Sequence, residues 1–277
     1  MTPIGLNSYQ GAGARGYDIS RCADTALCDA LAAALPLSPD GQYLDVGCGT
    51  GNYTIALAAK GGAWTGLDPA RDMLAEARKK AAALSWVEGR AEALPFENGC
   101  IDGIISVLAL HHMADLSAAF HEAARVLQVT GRLAIFTATP EQAQACWLRA
   151  YFPDMIARDA DILPSLSAMD AAADAAGLVR QAIVAFHITE TTQDRFFYSG
   201  KLRPEIYLDA HIRANMSPFR HIEDAELTRG LAALKTDIDS CKVAGKIAAA
   251  DNDDGDYCIV SYAKASRVGS IGIDPYG

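Results

Sequence analysis

Residues 43–57, "YLDVGCGTGNYTIAL", set three glycines at alternate positions behind an acid and ahead of a helix-like run. The apolar start reads as a short buried strand, 42–47, and the continuation as a helix, 53–61. A single glycine would satisfy a strand-to-helix turn. Gly47, Gly49 and Gly51 together let the backbone turn tightly and meet a ligand with no Cβ in the way.

Working outward, strands and helices alternate. "AWTGLD" (63–68) reads as a second strand. "ARDMLAEARKKAAAL" (70–84) reads as a helix, with Glu76 and Lys80 at a favourable i,i+4 spacing. "SWVEG" (85–89) and "IDGIISVLAL" (101–110) are the next strands, and 115–127 repeats apolar residues on one helical face. A fifth strand spans 131–138, a helix 167–177, a sixth strand 179–188 and a last strand 256–265. Upstream, 18–35 reads as a helix closed by Pro36. The alternation predicts an α/β fold with a parallel sheet covered on both faces. Segments 139–166 and 189–256 break it. The expected organisation is a binding core over 1–188 and 256–265, a helical cap over 189–255 and a flexible, glycine-rich tail over 266–277.

The 277 residues suffice for one large domain with an insertion. No apolar run approaches the roughly 20 residues of a membrane span, and the first residues lack a basic-then-apolar signal layout. A cytoplasmic chain without a membrane partner, monomeric or homodimeric, is expected. The net charge is −10 and no Lys/Arg cluster exceeds Arg78–Lys80, so nucleic acid is not an expected partner. The seven cysteines are scattered, which argues against a zinc site or a disulfide framework.

In an open parallel sheet the ligand sits beyond the carboxyl ends of the strands. The spacing here is G-x-G-x-G, not the G-x-G-x-x-G of dinucleotide sites, and Asn52 takes the sixth place. Asp45 would repel a pyrophosphate but suits an ammonium group. Asp68, ending the second strand, suits ribose hydroxyls. The loop therefore fits a nucleoside with a cationic tail and no phosphate, as S-adenosyl-L-methionine has.

"LDVGCGTG", then "GLDPARDML", then "GRAEALPFENGCIDGIISVLALHHM" resemble the class I S-adenosylmethionine-dependent methyltransferases over about residues 40–138. The resemblance is to the branch that includes ubiquinone/menaquinone-biosynthesis C-methyltransferases and other small-molecule enzymes. It implies a Rossmann-like, doubly wound, seven-stranded, mainly parallel sheet whose last strand runs antiparallel. It also implies S-adenosyl-L-methionine as cofactor, with S-adenosyl-L-homocysteine as product. Asp45, Gly47, Cys48 and Gly49 would hold the methionine end, with Gly51 allowing close packing. Asp68 and Pro69 would lie at the ribose, and Met73 against adenine or simply in the core. Arg90, Ala91 and Glu92 would lie at the adenine edge; relatives often have Asp where this chain has Arg90. Leu108 would offer backbone to the amino acid end. Tyr17 and Arg21 would close over the cofactor carboxylate, or form a solvated helix face.

The end of the fourth strand, "SVLALHH" (106–112), lacks the Asn/Asp-Pro-Pro-aromatic run of amino-methylating DNA enzymes, the Pro-Cys nucleophile of cytosine enzymes and a metal-binding acid. Methyl transfer to a small-molecule substrate without a metal is left. His111, His112 and His187 are the candidate bases, although the first two also suit packing at the start of the next helix. Within 195–222, aromatics and cations accumulate. Phe197, Tyr198, Arg203, Tyr207, His211, Arg213 and Arg220 form either an acceptor pocket for a flat or anionic molecule or the cap's own core. An NAD(P)-dependent oxidoreductase and a non-catalytic S-adenosylmethionine-binding protein are the alternatives.

Overall fold

In the computed structural model, residues 16–265 are described. The expected tail, 266–277, lies outside them. Seven strands form one sheet: β1 (Gln42–Val46), β2 (Ala63–Asp68), β3 (Ser85–Glu88), β4 (Ile101–Val107), β5 (Leu127–Thr137), β6 (Leu178–Phe186) and β7 (Tyr257–Lys264). Their order is β3-β2-β1-β4-β5-β7-β6. The pairs from β3 to β5 are parallel, and β7 runs antiparallel to β5 and β6. The chain winds outward from β1 to β3 and then returns to β4. The carboxyl ends of β1 and β4 thus face one another at the switch point, where an open sheet of this kind binds its ligand.

Alternation along the strands decides the layers, because successive side chains point to opposite faces. Tyr43, Ile105 and Phe136 join one apolar cluster with Leu27 and Leu31 of α1 (Thr25–Ala34) and Leu57 of α2 (Asn52–Ala58). Leu44, Ile104 and Ile135 join the other. There they meet Phe120 of α4 (Leu116–Val126) and Met169 of α7 (Leu166–Ala175). The remaining helix of the core, α3 (Arg71–Lys80), follows β2. β6 is an edge strand whose interior residues are exposed, Val179, Ile183 and Val184 among them.

Several local expectations are corrected. The helix read over 18–35 starts only at Thr25, because the Asp24 carboxylate accepts the Leu27 amide (2.8 Å) as N-cap; Tyr17–Ile19 is a separate 3-10 turn. Glu76 pairs with Lys79 rather than Lys80. Lys80 ends its helix beside the glycine loop, where Asp18 (2.7 Å), Asn52 (2.6 Å) and Thr50 (3.1 Å) hold its ammonium group.

Segment 139–166 is helical as well. α5 (Pro140–Ala145) opens with a capping box between Thr139 and Gln142, and α6 (Pro153–Ile162) follows. These helices share one apolar cluster with the insertion, in which Trp147 and Phe152 meet Phe197, Tyr207 and Phe219. The insertion itself consists of 3-10 turns, the short α8 (Ala210–Arg213), α9 (Asp224–Asp239) and α10 (Val243–Ala249). The layer above the sheet is therefore built from 140–162 as well as from 189–255.

Candidate cofactor and acceptor site

The site begins with three left-handed glycines after β1: Gly47 (φ 78°), Gly49 (φ 55°) and Gly51 (φ 78°). They differ in purpose. A Cβ on Gly47 would sit 2.5 Å from the Ala109 Cβ, so this glycine lets the loop after β1 touch the loop after β4. A Cβ on Gly51 would sit 2.2 Å from the Trp86 ring. Gly51 therefore makes room for packing and does not line the cavity, whereas Gly47 and Gly49 do.

Asp68, at the end of β2, fixes the loop. Its carboxylate accepts the Gly49 amide (2.9 Å) on one oxygen and the Ala70 amide (2.8 Å) on the other. It lines the cavity, and burial raises its pKa. Asp45 and Cys48, expected at the methionine end, are not in the wall. Asp45 is buried beneath the loop, where it accepts the Thr54 hydroxyl (2.6 Å) on Oδ2. Its Oδ1 has no hydrogen-bond partner, and burial pushes its pKa up to about 7. Strand alternation puts its side chain on the Tyr43 side of the sheet, against Thr54 of α2.

Pro69, Met73, Arg90, Ala91 and Glu92 continue the wall. Glu92 accepts the Ala114 amide (2.7 Å) and pairs with Arg90 (3.4 Å), which ties the loop after β3 to the start of α4. Leu108 lies in the wall in a left-handed conformation (φ 52°), with its amide donated to the Phe136 carbonyl (2.9 Å). Strain of about 1–3 kcal/mol at such a residue must be held by its surroundings. Tyr17 and Arg21 also reach the wall, but Arg21 is not available as an unpaired cation. It forms a bidentate pair with Asp194 (2.6 and 3.1 Å) and donates to the Tyr17 hydroxyl (2.7 Å).

His111 and His112 lie in a 3-10 turn, Leu110–His112, directly after the strand end, with ring centroids 4.0 Å apart. Both line the cavity. Burial pushes the His111 imidazole well below its usual range, and His112 falls to about 4, the Arg220 charge adding to the effect. Both rings are neutral at neutral pH. His187 is exposed at the end of β6 and outside the wall, because β6 is the sheet edge farthest from the switch point.

On the cap side, Phe197 and Tyr198 line the cavity as expected; Arg203, Tyr207, His211, Arg213 and Arg220 do not. Cap backbone left without partners by irregular turns claims most of them. Arg203 donates to the Thr192 carbonyl (2.5 Å), Arg213 to the Tyr207 carbonyl (2.6 Å), and Arg220 through Nε to the Ala214 carbonyl (2.9 Å). Tyr207 donates to the Phe197 carbonyl (2.6 Å), and His211 is exposed. The wall also contains Phe196, one of the aromatics of 195–222, and Asp159, Asn215, Met216 and Tyr257, which the sequence reading missed. Asp159 had a signal: with Met155, Ile156 and Ala160 it places an acid on an apolar helical stripe. Asn215 had none; its amide bridges to the Ser20 hydroxyl (2.8 Å) and the Gly16 carbonyl (3.0 Å).

Sheet order, antiparallel last strand and glycine loop together define a Rossmann-like fold of the kind found in solved methyltransferase structures. Residues 44–135 match the family model described as a methyltransferase domain. The chain is 36% identical over 107 residues to the malonyl-[acyl-carrier protein] O-methyltransferase of Pectobacterium atrosepticum, which is 39% of this chain and 42% of that protein. It is 35% identical over 102 residues to the demethylmenaquinone methyltransferase of Mycolicibacterium gilvum (37% and 44%). The chain spans less than half the length of the curated relatives it matches. A solved structure of a putative methyltransferase from an antibiotic biosynthesis pathway of Anabaena variabilis superposes with TM-score 0.78. It has 26% identity and covers 89% of this chain and 99% of that one.

Proposed function

We propose that the protein transfers a methyl group from S-adenosyl-L-methionine to a small-molecule acceptor, without a metal. One observation carries this reading: a single cavity joins the glycine loop and Asp68 to an aromatic end supplied by the cap. The wall fits the cofactor. Gly47 and Gly49 present backbone without side chains to the cavity, and Asp68 has lone pairs left for ribose hydroxyls after accepting its two amides. When bound, the cofactor supplies a methyl group already activated by its sulfonium.

The chain's own residues then position and enclose. Gly47, Gly49 and the Leu108 backbone hold the methionine end, Asp68 the ribose, and Met73, Ala91 and Glu92 the adenine. Asp45 supports the loop from beneath. The cap excludes water and holds the acceptor in line, and proximity and orientation contribute roughly 7–11 kcal/mol to such a step. His111 and His112, being neutral, are hydrogen-bond or proton acceptors facing the acceptor. Val107, Leu108 and Ala109 at the strand end carry no ligand side chains, so transfer is expected to survive exhaustive EDTA treatment. Among the described residues no helix is long and apolar enough to cross a membrane, and we place the protein in the cytoplasm.

Calorimetric titration tests the reading. S-adenosylmethionine is expected to bind and nicotinamide dinucleotides are not; the reverse preference would overturn it. A cavity that extends past the cofactor end into the cap favours an enzyme over a binding protein. Formation of S-adenosylhomocysteine with members of an acceptor panel is the matching activity readout.

A further inference from the structure

The far end of the cavity is an aromatic box with a carboxylate in it. Phe196 and Tyr257 (4.9 Å between ring centroids), Tyr198 and Tyr257 (5.0 Å), and Phe197 and Tyr198 (4.8 Å) are in continuous ring contact. All four line the cavity together with Asp159. The Tyr198 hydroxyl donates to Asp159 Oδ2 at 2.7 Å, and among the described residues no group donates to Oδ1. Resting on the methyltransferase reading above, we propose that Asp159 anchors an amine of the acceptor inside this box.

The charges in the wall favour that class. Both arginines of the wall are already matched by acids, Arg21 by Asp194 and Arg90 by Glu92. The Arg220 charge is felt at His112, and its Nε is bonded to the Ala214 carbonyl. Burial pushes Asp159 up to about 6, so it is mostly ionised at neutral pH, at a cost in desolvation that a bound cation offsets. An ammonium group suits each part of the box. It donates a charge-assisted hydrogen bond to Oδ1, and the ring faces attract it. A carboxylate on the acceptor would instead meet a like charge. The anionic acceptor anticipated from the arginines of 195–222 is thereby replaced by a basic one.

Three probes of similar shape separate the classes: tryptamine, tryptophol and indole-3-acetate, each titrated into the full chain saturated with S-adenosylhomocysteine. Tryptamine is expected to bind at least tenfold more tightly than indole-3-acetate. Asp159→Asn, which keeps an acceptor for Tyr198, is expected to remove most of that preference, and Tyr198→Phe is expected to keep it. Equal binding of tryptophol and tryptamine, preference for indole-3-acetate, or no tryptamine binding at millimolar concentration would each overturn the proposal. So would an unchanged preference in a folded Asp159→Asn protein. Failure of S-adenosylmethionine itself to bind would instead strike the methyltransferase reading, and Asp159→Asn should leave that affinity intact.

Discussion

Arg21 and Asp194, 173 residues apart, form a two-pronged ion pair that joins the chain ahead of α1 to the start of the insertion. Asp194 is almost fully buried and also accepts the Tyr53 hydroxyl (2.9 Å) and the Cys22 amide (3.3 Å). One carboxylate thus gathers the segment ahead of α1, α2 and the cap at the rim of the cavity.

Removing that carboxylate should be costly. Asp194→Ala leaves a buried guanidinium and a buried phenol without their acceptor. Breaking a buried pair from one side typically costs about 3–5 kcal/mol. Urea denaturation is expected to show a loss of that size, and replacing both partners by apolar residues (Arg21→Met with Asp194→Leu) should recover much of it. A change below about 1 kcal/mol would mean that the pair is not buried in solution.

Asp68→Ala should weaken S-adenosylmethionine binding tenfold or more, since hydrogen bonds to a charged group are worth about 1.5–3 kcal/mol each. The substitution also releases the Gly49 and Ala70 amides, so circular dichroism must first establish that the variant is folded. Unchanged affinity by calorimetry would remove Asp68 from the ribose site.

Gly47→Ala should abolish detectable cofactor binding, because the new methyl group meets Ala109 Cβ at 2.5 Å and the backbone is left-handed. Adding Ala109→Gly relieves the contact but not the backbone strain. The double variant should therefore bind more tightly than Gly47→Ala and more weakly than the parent. Full recovery would show that the contact alone matters.

Asp45 gives a pH test in the protein without cofactor. Its pKa is about 7 when folded, against 3.8 ordinarily, because burial disfavours the charge. Stability from the neutral carboxyl is complete below about 3.8 and is lost as pH rises through 7. Asp45→Asn removes that loss, so the variant should gain on the parent steadily from pH 4 to 7 and level off above. His112, with its pKa lowered to about 4, acts in the opposite sense, losing stability as pH falls from 6.5. It is present in both proteins and cancels in the difference. A pH-independent difference in denaturation midpoint would show that Asp45 is not buried as an acid.

The sequence by itself determined the sheet and its glycine loop. Tyr43 to Val46, the alternate glycines and Asp68 are local patterns whose meaning follows from strand period and from where a Cβ is forbidden. What those residues do to one another was decided only in three dimensions. Gly51 packs on Trp86, Asp45 turns under the loop, and Arg21 is claimed by Asp194, each through a neighbour distant in sequence. The cap was the least legible part. Its arginines looked like ligand groups because a linear sequence does not reveal which backbone carbonyls irregular turns leave in need of donors. Asp159 stands on an apolar helical stripe, but only the packing of α6 against the insertion places it among aromatic rings. Periodic structure repeats its physical reasons every two to four residues and can be read along the chain, whereas a site assembled from separate elements has no such period.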